Sequence, residues 1–206
     1  MKGHGTILGY IESESMDKLS RRTALLAGVA TALSPRLLYA AKVPRPAPDL
    51  MISRPGGVQH RVSQYHGKIL VLELLLTTCP HCQRCAHTVQ RVLGDYKDKG
   101  VEALGAAIND EARFDLLRFE MASGSRFPMG IADRDRAYAF IEADMSAGPV
   151  YFPQLVLIDR QGIIRAQYAG TDKFFEQEES NLRAMLDTLL KPAAPAASAP
   201  AKGTKK

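Results

Sequence analysis

The sequence predicts an α/β domain in which a mixed β-sheet is flanked by helices, and three stretches carry that expectation. Residues 68–78 form a continuous apolar run behind the Gly67 turn, with the length and character of a central strand covered on both faces. Across residues 80–98 the apolar positions Ala86, Val89, Val92, Leu93 and Tyr96 recur at helical spacing, and Gly100 marks the end of that helix. Residues 154–158 and 163–168 flank Asp159-Arg160-Gln161-Gly162, a turn whose chemistry suits a hairpin. Strands that alternate with helices and then pair as a hairpin require a mixed sheet.

The remaining elements follow in order. Residues 42–48, Lys-Val-Pro-Arg-Pro-Ala-Pro, read as an extended lead-in because proline disfavours helix before and at its own position. A second strand is expected over 101–108 and a second helix over 111–122. A weak strand over 127–131 leads into a short helix around 135–143, and residues 174–190 form a closing amphipathic helix. No internal repeat is visible.

The two ends differ from the body. The formal charge is +5, from 27 basic and 22 acidic side chains, but residues 41–190 hold 18 basic against 19 acidic. The basicity lies in the termini, so the body offers no electrostatic case for nucleic acid. Near the start, Ser20-Arg21-Arg22 precedes a modest apolar run from Ala24 to Leu33. That layout is a secretory signal, similar to the twin-arginine kind, over residues 1–40, and Ala40-Ala41 would allow cleavage. A span needs about 20 apolar residues and Arg36 interrupts this one, so an uncleaved N-terminal anchor or an amphipathic helix is the lesser reading. Export to the periplasm or beyond is expected. Residues 191–206, rich in Ala, Pro and Lys, lack the apolar bulk to enter a core and read as a disordered tail.

One motif carries chemistry. Cys79-Pro80-His81-Cys82 stands where the buried strand gives way to the first long helix. The spacing brings both sulfurs within disulfide reach around the first helical turn, where Pro80 is tolerated because its missing N–H would be unpaired anyway. Cys79 at the helix N-terminus gains from unpaired amides and the dipole, which favour a thiolate. His81 adds positive charge when protonated and a further donor when neutral. Cys82, one turn in, points toward the core as the expected resolving thiol. The same spacing could be half of a zinc site, for which only Cys85, His87 and the scattered His60 and His66 could complete the ligands. It could also be an inert bridge, although closing so small a loop stabilises little.

Two other features fit redox exchange. Glu73 interrupts a strand otherwise made of Leu, Ile and Val; a desolvated carboxyl there should hold its proton tightly and could relay protons to the resolving sulfur. Alternatively it points to an edge and pairs with Lys68. Pro153, directly before a strand, lacks the ladder donor and is permitted at that position.

The run from Asp49 to Leu190 resembles the thioredoxin-like superfamily, closest to its exported TlpA/ResA-type branch. The matching residues are Ala47-Pro48-Asp49-Leu50, Tyr65-His66-Gly67-Lys68, Glu73, Cys79-Pro80-His81-Cys82, and Phe152-Pro153-Gln154-Leu155-Val156-Leu157-Ile158-Asp159 with Gly162. The helical segment between the second strand and Pro153 resembles that branch's extra insertion. The resemblance implies a thioredoxin-like fold over 49–190 and thiol–disulfide oxidoreductase activity. It assigns attack to Cys79, resolution to Cys82, and a cis Phe152–Pro153 bond whose backbone pairs with a substrate peptide.

Departures from the pattern matter too. Thr78 stands where the branch usually has Trp, and the chain contains no Trp, which changes the surface met by a substrate at Thr78 and Phe152. Glu73 replaces the Asp of thioredoxin itself. Cys85 is additional and shares a helical stripe with Cys82, Ala86, Val89 and Val92. It is expected to face the core as a small hydrophobe, with an alternative Cys82–Cys85 bridge or metal binding left open.

The expected function is therefore disulfide exchange with exported protein thiols by a monomer, reset by a further redox partner and needing no cofactor beyond the Cys79–Cys82 pair. Its direction, oxidising or reducing, stays open at this stage. A copper-delivery module using Cys79, Cys82 and Cys85, with His81 or His87, is the alternative. A peroxidase is disfavoured because peroxiredoxin-type sites place Pro and Thr upstream of their cysteine, whereas the corresponding stretch here, residues 72–77, is Leu-Glu-Leu-Leu-Leu-Thr.

Overall fold

A computed structural model describes residues 42–54 and 56–191; the export-signal and tail expectations lie outside the described residues. The sheet has eight strands: β1 (Arg45–Pro46), β2 (Met51–Ser53), β3 (Gln59–Arg61), β4 (Ile69–Leu75), β5 (Val101–Ala107), β6 (Met129–Ala132), β7 (Gln154–Ile158) and β8 (Ile163–Ala169). Their spatial order is β1-β8-β7-β4-β5-β6-β2-β3. The central strand β4 pairs in parallel with β5 and antiparallel with β7, which makes the sheet mixed. Every residue of β4 is buried, the environment its apolar run requires. Among the described residues no helix is long and apolar enough to cross a membrane.

Four α-helices cover the sheet: α1 (Pro80–Tyr96), α2 (Ala112–Ser123), α3 (Arg134–Phe140) and α4 (Glu178–Leu190). Side chains alternate along β4, so Ile69, Val71 and Leu75 meet one layer while Leu70, Leu72 and Leu74 meet the other. The first layer holds Val89 and Val92 of α1, Leu116 and Phe119 of α2, and Leu182 and Leu186 of α4. The second holds Ala137 and Phe140 of α3 with Leu50, Ile52 and Val62. By the same alternation Glu73 belongs to the α1 and α4 side.

The expected elements are present with shifted ends, and each shift has a local cause. The strand expected over 68–78 stops at Leu75, because the Thr77 N–H leaves the ladder and donates to the Asn109 Oδ1 at 2.9 Å. The helix expected over 174–190 begins as a 3-10 turn, Lys173–Gln177, capped by the Asp172 carboxylate on the Phe174 N–H; α4 starts only at Glu178. The lead-in is extended, and its Arg45–Pro46 pairs with Ile163 and Ile164 at the sheet edge. The hairpin closes as expected through Asp159–Gly162, with Gly162 at φ 76°. The β2–β3 hairpin was not anticipated: strands of three residues carry too little periodicity to register.

Candidate functional site

The carboxyl end of β4 and the start of β7 are neighbours in the sheet, so the loops leaving one and entering the other meet at one edge. The first loop carries Cys79. Its backbone is extended (φ −92°, ψ 114°), Pro80 opens α1, and the Cys79 Sγ accepts the Cys82 N–H at 3.2 Å. The sulfur thus acts as a helix N-cap, one of the unpaired first-turn donors being aimed at it. It is partly exposed, whereas Cys82 is 0% exposed and all three cysteines are free thiols.

Two devices hold this loop. The Asn109 side chain grips Thr77 twice, accepting its N–H and donating to its hydroxyl at 2.8 Å. The Cys79 N–H donates to the Leu76 carbonyl at 3.0 Å. Thr78 and Pro80 are exposed on either side of Cys79.

The second loop brings Phe152 and Pro153 across. Their peptide bond is cis, Pro153 is buried, and the Phe152 carbonyl oxygen lies 4.0 Å from the Cys79 Sγ, which donates toward it. Gln154 is buried and ties this loop to itself, its side-chain N–H donating to the Tyr151 carbonyl at 2.8 Å.

Behind the pair, Glu73 is 1% exposed and neither carboxyl oxygen has a hydrogen-bond partner. It does not reach an edge or pair with Lys68. Loss of water pushes its pKa well above the carboxylate range, and the Glu178 charge pushes it further, so burial favours the protonated carboxyl. Burial likewise drives the Cys82 thiol far up, with Glu73 adding to the effect.

Of its two expected states, His81 takes the neutral one. Its ring packs edge-on against Phe175, centroids 4.8 Å apart, and Phe175 in turn contacts Phe174. This partial burial, followed by the nearby Arg84 charge, lowers its pKa, so His81 supplies a neutral ring rather than a cation beside Cys79. No sequence signal marks this contact, since Phe175 lies in a distant part of the chain.

The AhpC/TSA family profile matches residues 43–167. This chain belongs to that family. Among relatives of the AhpC/TSA chain is the thiol-disulfide oxidoreductase ResA of Geobacillus kaustophilus, 28% identical over 165 residues, which cover 77% of this chain and 91% of that protein. The thiol:disulfide interchange protein DsbE of Tatumella citrea is 29% identical over 139 residues, covering 66% and 70%. In fold it is similar to a thiol:disulfide interchange protein from Chlorobium tepidum, with a TM-score of 0.59 at 20% identity, covering 73% of this chain and 99% of that one. The thioredoxin-like fold and membership of the thiol–disulfide oxidoreductases follow from these likenesses together.

Within this AhpC/TSA chain the ligands that a metal alternative would need are not gathered. His87 Nδ1 lies 3.2 Å from the Ser123 carbonyl, linking α1 to α2. Among the described residues no three side chains of His, Cys, Asp or Glu come together as a metal would require. Cys85 is fully buried in the core stripe, as its helical position implies.

Two site residues had escaped notice. Glu178 opens α4 and faces Glu73 and Cys85. Gly170, at the end of β8, lies against the second loop: a Cβ there would sit 2.6 Å from the Phe152 carbonyl carbon and closer still to its oxygen. Both are backbone atoms and cannot swing aside. Gly170→Ala is therefore expected to cost about 1–3 kcal/mol in urea unfolding and to move the Phe152 carbonyl away from Cys79. Wild-type stability together with a wild-type exchange rate in that variant would refute the contact.

Proposed function

We propose that the chain exchanges disulfides with exported proteins through the Cys79/Cys82 pair, and that it works as a reductant. Cys79 attacks a substrate disulfide, Cys82 resolves the mixed disulfide, and the pair leaves oxidised, to be reset by a separate redox partner. The observation that carries this reading is the pairing of a partly exposed Cys79 sulfur at a helix N-terminus with a fully buried Cys82 one turn below. One thiol is open to a partner and the other is shielded from it, which is the asymmetry a two-step exchange needs.

The Phe152 carbonyl beside that sulfur, and the exposed Tyr151 before it in the chain, offer a backbone acceptor and an aromatic surface to an incoming extended peptide. Thr78, exposed on the other side of the sulfur, gives that surface a small polar residue. Pro153 keeps the loop free of a competing ladder donor. Glu73 accepts the Cys82 proton on one carboxyl oxygen as it gives up its own from the other. The redox centre is the cysteine pair itself and needs no added cofactor.

The direction follows from His81. An oxidising couple is one whose reduced thiolate is strongly stabilised, and a neutral imidazole packed on Phe175 contributes less to that than an imidazolium. The expected reduction potential lies nearer to about −270 mV, the thioredoxin value, than to about −120 mV, the DsbA value. Titration of the pair against glutathione, with insulin reduction alongside, tests this; a potential near the DsbA end would reverse the direction. Exported substrates accord with the twin-arginine-like segment in the sequence, and fractionation of cells expressing the full chain tests that part.

A further inference from the structure

Behind the redox pair lies a row of buried ionisable groups longer than the exchange reaction requires. Cys85 sits one helical turn beyond Cys82, 0% exposed, with Glu73 of β4 on one side and Glu178 of α4 on the other. Both Glu73 oxygens and Glu178 Oε1 are buried without hydrogen-bond partners. Unpaired polar atoms in an apolar layer cost stability, so a folded chain that keeps three of them around one buried thiol calls for a use. The row also has a direction. Its inner end, Glu73, faces Cys79 and Cys82; its outer end, Glu178, is only half-buried and faces Arg84 and Thr88 on α1.

We propose that Cys85 and Glu178 form the outer half of a proton relay connecting Cys82 and Glu73 to solvent. The proposal rests on Cys82 being the resolving thiol. When the Cys82 sulfur bonds to the Cys79 sulfur, the bond between Cys79 and the substrate sulfur breaks; the substrate leaves reduced and the pair is oxidised. The Cys82 proton passes to one Glu73 oxygen while the proton on the other oxygen passes to the Cys85 sulfur. The Cys85 S–H proton passes in turn to the Glu178 carboxylate and from there to water. Glu73 and Cys85 end as they began, neutral, so a fully buried acid serves the step without ionising. A thiol can stand in such a chain because it both donates and accepts.

The charged and titratable groups facing this row are Cys79 at the cap of α1, Cys82 and Arg84 from α1, Glu73 from β4, and Glu178 itself from α4. Burial raises the Glu178 pKa and Arg84 opposes that rise, favouring the ionised acceptor.

The test uses the reduced full chain and oxidised glutathione, with the single-turnover oxidation rate followed across pH. Glu178→Gln is expected to lower the plateau rate about tenfold, part of what direct acid–base help is worth, while alkylation of Cys79 by iodoacetamide keeps its rate. Cys85→Ala should fall by a similar factor, and Cys85→Ser, which restores a group able to pass a proton, should recover most of it. Unchanged plateaus in Glu178→Gln and Cys85→Ala, with only the inflection moved to lower pH, would show a mere electrostatic neighbour and overturn the relay. Equal losses in Cys85→Ser and Cys85→Ala would also overturn it. Failure of the underlying reading has a different signature: Cys79→Ser would then still exchange. Glu178 is half-buried at a helix start, so its glutamine variant should fold and remains the decisive one.

Discussion

Replacing Cys79 by serine is expected to abolish disulfide exchange, whereas replacing Cys82 by serine is expected to stall it at a covalent intermediate. The difference follows from exposure. Cys79 is the thiol a partner can reach; serine there leaves a hydroxyl that is not a nucleophile at neutral pH, and the buried Cys82 cannot substitute for it. In Cys82→Ser the first attack should still occur, but nothing should resolve the mixed disulfide, because Cys85 lies a further helical turn from Cys79 and faces Glu73 and Glu178. Incubation with a disulfide-bonded peptide should therefore give a mass increase of one peptide on Cys82→Ser and none on Cys79→Ser. Turnover by Cys79→Ser, or a Cys82→Ser protein that releases its peptide as fast as wild type, would contradict the assigned order.

Glu73→Gln should make the fold progressively more stable than wild type as pH rises. The direction follows from proton counting. Desolvation, then Glu178, hold the native Glu73 carboxyl well above its ordinary range, while in the unfolded chain it titrates near about 4.3. Above that pH the native state keeps a proton the unfolded state has lost. Stability from this group is thus complete at low pH and is lost as pH rises toward the native pKa. The slope approaches about 1.4 kcal/mol per pH unit within that window. Glutamine does not titrate, so the wild-type and variant curves should diverge as pH rises above about 5 in urea unfolding. Parallel curves would mean that Glu73 is solvated after all.

Much of this was readable because it is local. The Cys79–Cys82 spacing, Pro80 in the first turn and the apolar run before them fix a strand, a cap and a helix within a short stretch of chain. Glu73 was conspicuous as one acid among Leu, Ile and Val. Features that depend on distant segments meeting were not readable. Asn109 holding Thr77, Gly170 against Phe152, Glu178 beside Cys85 and Phe175 against His81 each join residues with no sequence relation. The His81 charge state is of this kind: it depends on packing, and the packing partner comes from a distant stretch of the chain.

The position of β4 bears on how the molecule ages and fails. Both loops at the reactive edge are rooted in β4 and β7, adjacent strands in the middle of the sheet with helices over each face. Strands so enclosed belong to the last cooperative unit to open, whereas outlying pieces such as β3 can fray without consequence. Heat or denaturant has no gentle way to disarm the cysteines: the pair stays competent until the centre of the molecule dissolves, and both are lost together.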